Sequence, residues 1–319
     1  MHTFISVIYV NYNCSNLTIA SIGSLETHCK DVSFEVIIVD NASKVEEKHV
    51  LDLWAGQNPA KNVKTIWAEQ NLGFGKANNL GASHATGKFL FFLNPDTLIC
   101  NDVLSIFSEF LETSAPSIVA CGGKLLTAEK EPTASYGNFP GVLQELGNIG
   151  LGLSFILGRH YQSRIAINSV THQKAPAKVP YIVGADIFIY ADTFNNLYGF
   201  DESFFMYYEE TDLFFRLSRK GLDSYIVPAA EIIHLEGGAI KALSKESFNH
   251  KKFEMLLASK LNYYQKWSTG FLLPFIKLIF LLQIVIQFLK GRMGGKLSPL
   301  LESYFSIVFK VKMNSTSAF

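Results

Sequence analysis

Four short apolar runs alternate with three helical patterns in the first part of the chain. Each run is rich in β-branched or aromatic residues, as strands buried on both faces of a sheet are. We predict strands at Phe4–Val10, Phe34–Val39, Val63–Trp67 and Lys88–Leu93. The intervening segments predict helices over 16–25, 44–54 and 73–86. This order predicts an α/β fold over residues 1 to about 125, with a doubly wound, mostly parallel sheet and helices on both faces.

The sequence becomes irregular beyond this alternation. From about residue 127 to 178 the periodicity is lost and Gly, Pro, Ser and Lys accumulate, which predicts a mobile or substrate-gating loop. Order then resumes with strands at Tyr181–Tyr190 and Asp223–Val227 and helices at Asp192–Leu197 and Glu209–Lys220. We predict a catalytic domain at residues 1–240 and a C-terminal helical region at 241–319.

Charge is divided unevenly along the chain. The 28 Lys and Arg residues balance 28 Asp and Glu residues, which argues against a surface that binds nucleic acid by charge. Residues 255–319, however, hold eight basic residues and one acidic residue, a net charge of +7, and residues 1–254 carry −7. The two parts of the chain therefore suit different partners.

The segment Phe271–Leu289 is apolar except for three residues, Lys277, Gln283 and Gln287. On a helical projection Gln283, Gln287 and Lys290 fall on one narrow stripe. A buried core helix and a full membrane span are alternatives for this segment. The surrounding positive charge favours a helix that lies at, or inserts shallowly into, an anionic membrane surface.

Polar residues follow three of the predicted strands. They are Asn11 and Asn13, Asp40 and Asn41, and Asn94-Pro95-Asp96. Turns favour Asp and Asn, but three such ends in one unit point to a ligand site, because ligands of open α/β sheets bind beyond the carboxyl ends of the strands.

Asp96 follows a proline at a strand end, a placement that suits a divalent cation bridging a diphosphate, although an Asx turn is an alternative. His234 ends another apolar run and is a candidate second ligand. A carboxylate, an imidazole and phosphate oxygens favour Mn²⁺ or Mg²⁺ over structural zinc.

An acidic cluster, Glu209-Glu210-Thr211-Asp212, begins a predicted helix behind an aromatic run. Acids in a first helical turn are stabilised by the helix dipole, so a capping role is one interpretation. The apolar surroundings raise a carboxyl pKa and suit a general base, which is the other. Asp212 and Arg216 have the spacing of a helical ion pair, and this leaves Glu209 or Glu210 for chemistry.

These residues resemble the motifs of family 2 glycosyltransferases of the GT-A fold, a Rossmann-like architecture, and in particular the rhamnosyltransferase-like branch that builds bacterial surface polysaccharides. The resemblance runs in order through segments 6–13, 39–43, 71–79, 92–96, 184–185, 199–207, 209–213 and His234. It thus extends over about 230 residues.

The resemblance implies a role for each matching residue. Asp40 would read the nucleobase, and the nucleotide site would be lined by Tyr12, Asn71, Gly73, Lys76 and Asn78. The Asp-x-Asp element reads Asn94-Pro95-Asp96, so that Asp96 would bind the metal, with His234 completing the site. The catalytic base would be Glu210; the usual Glu-Asp pair reads Glu-Glu here, and Glu209 stays open as the alternative.

The implied function is inverting, metal-dependent transfer of a sugar from a nucleotide diphosphate donor, dTDP-L-rhamnose or a UDP-hexose, to a lipid-linked saccharide. The four cysteines lack disulfide-like or metal-ligand spacing, which favours a reducing compartment and hence the cytoplasmic face of the bacterial inner membrane. Two alternatives remain. A sugar nucleotidyltransferase requires a Gly-rich loop where this chain has Asn11-Tyr12-Asn13-Cys14, and a catalytically silent membrane-bound assembly partner requires no intact site.

Overall fold

The computed structural model describes residues 4–58, 62–149, 167–169, 174–235, 250–291 and 297–313. The chain divides into two compact units. The first comprises Met1–Gly137, Ile167–Glu202 and Glu209–Leu243, and the second comprises Asn138–Ala166, Ser203–Tyr208 and Ser244–Phe319. The second unit thus takes in two segments that the predicted division at 240–241 assigned to the catalytic domain.

The first unit contains the strands and six of the helices found in the described residues. The strands are β1 Phe4–Asn11, β2 Ser33–Asp40, β3 Val63–Trp67, β4 Phe89–Leu93, β5 Thr97–Ile99, β6 Ile118–Leu126, β7 Ala134–Gly137, β8 Ile167–Ser169, β9 Ala177–Val179, β10 Tyr181–Ile182, β11 Asp186–Tyr190 and β12 Asp223–His234. The helices are α1 Ser15–His28, α2 Val45–Gln57, α3 Phe74–Ala82, α4 Val103–Thr113, α6 Ala191–Asn196 and α7 Glu209–Arg219.

The large sheet has the strand order β3-β2-β1-β4-β11-β6-β12-β5, and β9 also pairs with β12. The part formed by β3, β2, β1 and β4 is parallel, as predicted. Beyond it β11 runs antiparallel to both β4 and β6, because the chain enters β11 beside the carboxyl end of β4, where Asp186 pairs with Leu93. Since β6 is antiparallel to β11 and parallel to β12, six of the nine described strands of this sheet, β3, β2, β1, β4, β6 and β12, run in one direction. The strands β11, β5 and β9 run in the other, so the sheet is mixed with a parallel majority, as predicted.

The predicted strand Tyr181–Tyr190 is two strands in two sheets. β10 joins β7 and β8 in a small antiparallel sheet, and β11 belongs to the large one. The break follows from the backbone partners of the residues between them: Val183 N–H donates to Ser135 of the small sheet, and the Ala185 carbonyl accepts from Asn94 beside β4. Part of the predicted loop at 127–178 is thus ordered as strands β7, β8 and β9 and a short helix, α5, at Val142–Gly147. Residues 150–166 and 170–173 lie outside the described residues.

Helices cover both faces of the sheet, as predicted. Side chains of α1, α2 and α4 pack with Val7 and Tyr9 of β1 in one buried cluster. The neighbouring residue Ile8 points to the opposite face, because side chains alternate along a strand. There α3 approaches so closely that a Cβ on Gly81 would lie 2.5 Å from Ile8 Cγ2. The small residues of this segment are what allows that packing.

The second unit is helical in its described residues, with α5 Val142–Gly147, α8 His250–Trp267, α9 Leu273–Leu289 and α10 Leu297–Met313. Its core is a cluster of aromatic and aliphatic side chains from all four helices. In the part of the chain that the structure describes, no helix has the length and apolar character needed to cross a membrane. Residues 241–249, 292–296 and 314–319 of the predicted C-terminal region lie outside the described residues.

Candidate active site

The ends of β1 and β2 are joined by two side chains. Asn11 and Asp40 are the last residues of these strands and lie opposite each other in the ladder. Nδ2 of Asn11 donates to Oδ2 of Asp40 over 2.9 Å, and the backbone N–H of Ser43 donates to Oδ1 over 3.0 Å. The Asp40 side chain is fully buried. The structure thus brings together two of the three predicted polar strand ends and fixes the Asp40 carboxylate between them.

The next residue, Asn41, holds the loop that precedes α3. Its Nδ2 donates to Oδ1 of Asn71 over 3.0 Å, and its Oδ1 accepts from the backbone N–H of Leu72 over 2.7 Å. Gly73 follows with a φ of +80°, a conformation that favours glycine. Two predicted nucleotide-site residues, Asn71 and Gly73, therefore sit beside the end of β2. Asn41 was noted as a strand-end residue but not as a member of the site, and its position directly after Asp40 was the available signal.

Helix α3 carries two further predicted residues, Lys76 and Asn78. The Lys76 ammonium lies 2.9 Å from Oε2 of Glu202, with both side chains about half exposed. The buried Asn78 side chain donates to the Phe74 carbonyl of its own helix over 3.1 Å. Tyr12, just beyond β1, is 39% exposed. Lys76 and Tyr12 are therefore accessible to a ligand, whereas the Asn78 amide is already engaged with the helix.

Asp96 and His234 meet across the β5–β12 pair, in which His234 lies opposite Thr97. Nε2 of His234 is 3.4 Å from Oδ1 of Asp96, and both side chains are mostly buried. Burial raises the pKa of the Cys14 thiol to about 11, and the negative charge of Asp96 adds to that shift. Strand β4 pairs in parallel with β1, with Phe92 opposite Ile8, so the segment that carries Asp96 leaves the sheet beside the end of β1. The third polar strand end therefore joins the first two.

Two glutamates, Glu209 and Glu210, lie at the start of α7. Glu209 is buried, and its Oε2 has no hydrogen-bond partner among the described residues. A Cβ on Gly75 of α3 would lie 3.3 Å from Glu209 Cβ, so the two helices touch at this point. Glu210 lies beside Gly184: a Cβ on that glycine would lie 3.9 Å from Glu210 Cγ and 3.7 Å from the Phe74 ring.

Burial dominates the electrostatics of this pair. It raises the pKa of Glu210 to about 7, and burial together with the charge of Glu210 raises the pKa of Glu209 well above its usual range. Burial followed by the charge of Glu210 also raises the pKa of the nearby Tyr181 phenol. With a pKa of about 7, Glu210 can gain or lose a proton near neutral pH.

Asp212 belongs to the scaffold, as predicted. Its Oδ2 accepts from Nε of Arg216 over 2.7 Å, and the Asp212 side chain is fully buried. Arg216 also donates to the Leu197 carbonyl and, over 2.7 Å, to the Gly199 carbonyl. Arg216 therefore ties α7 to the turn that follows α6, and its ion pair with Asp212 leaves the two glutamates as the available carboxyl groups.

One buried acid was not predicted. Asp186 begins β11, and its Oδ2 accepts from the Gly123 N–H over 2.5 Å while Oδ1 has no partner among the described residues. Burial raises its pKa well above the usual range. In the sequence Asp186 lies inside the segment predicted as a single strand, Tyr181–Tyr190, and no motif singles it out.

The comparisons with known proteins agree with this architecture. Residues 6–152 match the family model of Glycosyl transferase family 2. Over 243 residues the chain is 26% identical to the rhamnosyltransferase WbbL of Escherichia coli, covering 73% of this chain and 83% of WbbL. It is 25% identical to the O-antigen biosynthesis protein RfbC of Myxococcus xanthus, covering 69% of this chain but 16% of RfbC. A 56-residue match, 39% identical, links it to an N-acetylglucosaminyl-diphospho-decaprenol L-rhamnosyltransferase of Mycobacterium tuberculosis, covering 18% of each chain.

Two solved structures share the fold. GalNAc-T7 with UDP, GalNAc and Mn²⁺ superimposes with a TM-score of 0.62 at 14% identity, covering 84% of this chain and 49% of that one. The mannosyltransferase PcManGT from Pyrobaculum calidifontis, in complex with GDP-Man and Mn²⁺, gives a TM-score of 0.56 at 15% identity, covering 99% and 84%. Residues 6–152, just under half of the chain, thus match the model of family 2 glycosyltransferases, and rhamnosyltransferases are among the relatives of the chain.

Proposed function

We propose that this protein transfers a sugar, with L-rhamnose favoured, from a nucleotide diphosphate donor to a lipid-linked saccharide, with inversion at the anomeric carbon, in the synthesis of a cell-surface polysaccharide such as O-antigen. The observation that carries the proposal is the pair formed by the buried Glu209 and the half-buried Glu210 beside the strand-end site. The names of the WbbL, RfbC and mycobacterial relatives support the sugar, the pathway and the acceptor class. The donor is dTDP-L-rhamnose or a UDP-hexose.

The donor binds along the strand ends in this proposal. Asp40, held by Asn11 and Ser43, presents its carboxylate to the nucleobase. The loop organised by Asn41 lines the nucleotide, and the lysine on α3 offers a positive charge to the diphosphate. The residues assigned to the donor are Tyr12, Asp40, Asn71, Gly73, Lys76, Asn78, Asn94 and Asp96.

Asp96 and His234 are the residues that would hold a divalent cation, Mn²⁺ or Mg²⁺. In the described residues no cluster of three or more His, Cys, Asp and Glu side chains forms a complete protein-only site. A close carboxylate and imidazole fit a cation that takes its remaining ligands from diphosphate oxygens and water. Such a cation supplies charge neutralisation of the diphosphate leaving group.

Glu210 acts as the general base. It accepts the proton of an acceptor hydroxyl, whose oxygen attacks the anomeric carbon while the bond from that carbon to the diphosphate breaks. One displacement inverts the configuration, and no covalent sugar–enzyme intermediate is required. The raised pKa of Glu209 favours its protonated form, which lowers the negative charge beside Glu210. Glu209 is the alternative base.

The acceptor lies in a membrane in this proposal, and the enzyme works at the cytoplasmic face of the inner membrane as a peripheral or shallowly inserted protein. The support is the net charge of +7 on residues 255–319 and the apolar character of Phe271–Leu289.

The proposal is tested with a thermal-shift panel of nucleotide sugars in the presence of Mn²⁺ or Mg²⁺, since a ligand that binds the folded state raises its apparent stability. We expect dTDP-L-rhamnose or a UDP-hexose to give the largest shift. Transfer of that sugar to a lipid-linked saccharide then follows, with the anomeric configuration read by NMR. No shift with any donor, or a product of retained configuration, contradicts the proposal. Turnover of the donor excludes a silent assembly partner.

A further inference from the structure

Helix α9 exposes a continuous apolar face. The exposed residues Phe275, Leu278, Leu282 and Leu289 fall within a sector of about 60° when projected at 3.6 residues per turn. Phe271, in the turn before the helix, projects to the same sector and is 79% exposed. We call these five residues the α9 outer face. Large side chains scattered singly are normal on a protein surface, but five on one face mark a contact site.

The opposite face of the same helix is buried and contains the polar residues of the segment. Gln283 Nε2 donates to the backbone carbonyl of Glu145 over 2.7 Å and to its carboxylate over 3.1 Å. Gln287 donates to the Asn148 carbonyl over 3.3 Å. Ile276 and Ile284 pack in the core of the second unit. The helix thus turns its glutamines inward and its phenylalanines and leucines outward, the reverse of a helix whose outer face meets water.

Two lysines at this helix project outside the apolar sector. Lys290, directly after α9, is exposed and projects about 90° from the centre of the sector, whereas the half-buried Lys277 projects about 130° from it on the other side. Lysine side chains in such positions extend along apolar surface and place their charge at the level of lipid head groups. The net charge of +7 on residues 255–319 complements an anionic surface and opposes the close approach of a second copy of the same region.

We infer that the α9 outer face binds the surface of an anionic lipid bilayer, with its phenylalanine and leucine side chains at the boundary of the hydrocarbon layer. This inference rests on the proposed function in one respect: a lipid-linked acceptor explains why the enzyme would bind a membrane. It adds the residues that make the contact and orients α9 with its glutamine side away from the lipid.

The test is flotation of the full chain with phosphatidylglycerol-rich vesicles and with phosphatidylcholine vesicles. We expect the wild-type protein to float with the anionic vesicles and to be released by a salt concentration of about 1 M, where charge attraction is screened within roughly 3 Å. The double variant Leu278→Glu/Leu282→Glu is expected to reduce the bound fraction at least about tenfold, because it places two charges in the contact. Phe275→Ser gives a smaller loss without added charge.

Leu53→Glu is the matched control, because Leu53 on α2 is 52% exposed, nearly the same as Leu278 at 51%. Circular dichroism confirms that each variant is folded. Unchanged flotation of the double variant, or an equal loss in Leu53→Glu, overturns the inference. So does a wild-type dimer that ignores vesicles and dissociates in the double variant, which would make the face an interface between copies.

The donor thermal shift separates this inference from the proposed function. A chain that floats with anionic vesicles but responds to no nucleotide sugar contradicts the proposed function alone. A chain that binds and turns over the donor but ignores vesicles contradicts the lipid inference and the proposed membrane location, and leaves the proposed transfer reaction standing.

Discussion

Each of the two units buries a glutamate, and the two environments are opposite. In the second unit the Glu145 carboxylate accepts from Lys260 over 2.5 Å, from the Tyr264 hydroxyl over 3.1 Å and from Gln283 over 3.1 Å. In the first unit Glu209 Oε2 has no donor among the described residues, and burial raises the pKa of both Glu209 and Glu210. A buried carboxylate that is fully hydrogen-bonded stabilises a fold, whereas one left without donors is available for proton transfer.

The largest expected effect is on catalysis. Glu210→Gln removes the proposed proton acceptor and is expected to lower kcat by about 10³-fold, within the usual range for a general base. The donor dissociation constant is expected to stay within about twofold, because the nucleotide contacts lie elsewhere. Both are measured by steady-state transfer and by calorimetric titration of the donor. Full activity in this variant contradicts the role of Glu210, and a larger loss in Glu209→Gln assigns the base to Glu209.

The matching change in the second unit affects stability. Glu145→Ala leaves the Lys260 ammonium without its carboxylate in a mostly buried position, and is expected to lower the free energy of unfolding by about 3 kcal/mol. Urea unfolding measures this. The double variant Glu145→Leu/Lys260→Met, which removes both charges, serves as the control and is expected to lose less. Glu209→Gln is expected to be neutral or stabilising at pH values above neutrality, and an equal loss in Glu145→Ala and Glu209→Gln would remove the distinction between the two sites.

A third effect concerns the proposed cation site. Asp96→Ala is expected to weaken donor binding at least about tenfold when Mn²⁺ is present, because a carboxylate ligand is lost. In the presence of a chelator the variant and the wild-type protein are expected to bind the donor alike. Thermal shift with and without Mn²⁺ reports both. Unchanged binding in Mn²⁺ excludes Asp96 from the site.

The smallest effect comes from Asp186. Its pKa is raised by burial above the usual value of 3.8, so the stability it contributes is present below that pH and is lost as the pH rises towards the folded-state pKa. The asparagine side chain introduced by Asp186→Asn resembles the protonated acid and does not titrate. The free energy of unfolding of this variant is therefore expected to fall less with rising pH than that of the wild type, by at most about 1.4 kcal/mol per pH unit. Urea unfolding across a pH series is the measurement, with the exposed Asp192→Asn as control. Parallel curves for wild type and Asp186→Asn would show that Asp186 is ionised in the folded protein.

Local patterns predicted the parts of the fold that depend on neighbouring residues. Val63–Trp67 was predicted with its exact bounds, and the Asp212–Arg216 pair followed from helical spacing. The antiparallel insertion of β11 was missed because its neighbour β4 lies about 90 residues earlier in the chain. The inward direction of Gln283 depends on α5, which lies in a segment without periodicity.

The candidate site could likewise be predicted only in part from the sequence. Asp40, Asp96 and the two glutamates were identifiable as strand-end or helix-start acids in unusual surroundings. Asn41 and Asp186 were not assigned to the site, because their importance lies in bonds to Leu72 and Gly123, which are distant in sequence. Sequence spacing locates groups that share an element, and only the folded chain shows which groups are left without donors.

The pH dependence of the transfer rate tests the central claim most directly. Glu210 must be deprotonated to accept a proton, and its pKa is raised to about 7 by burial. The single-turnover rate of sugar transfer is therefore expected to rise about tenfold per pH unit below neutrality and to level off above a pH of about 7. A rate that is flat from about pH 5.5 to about pH 8.5 would contradict the assignment of Glu210, with its raised pKa, as the base.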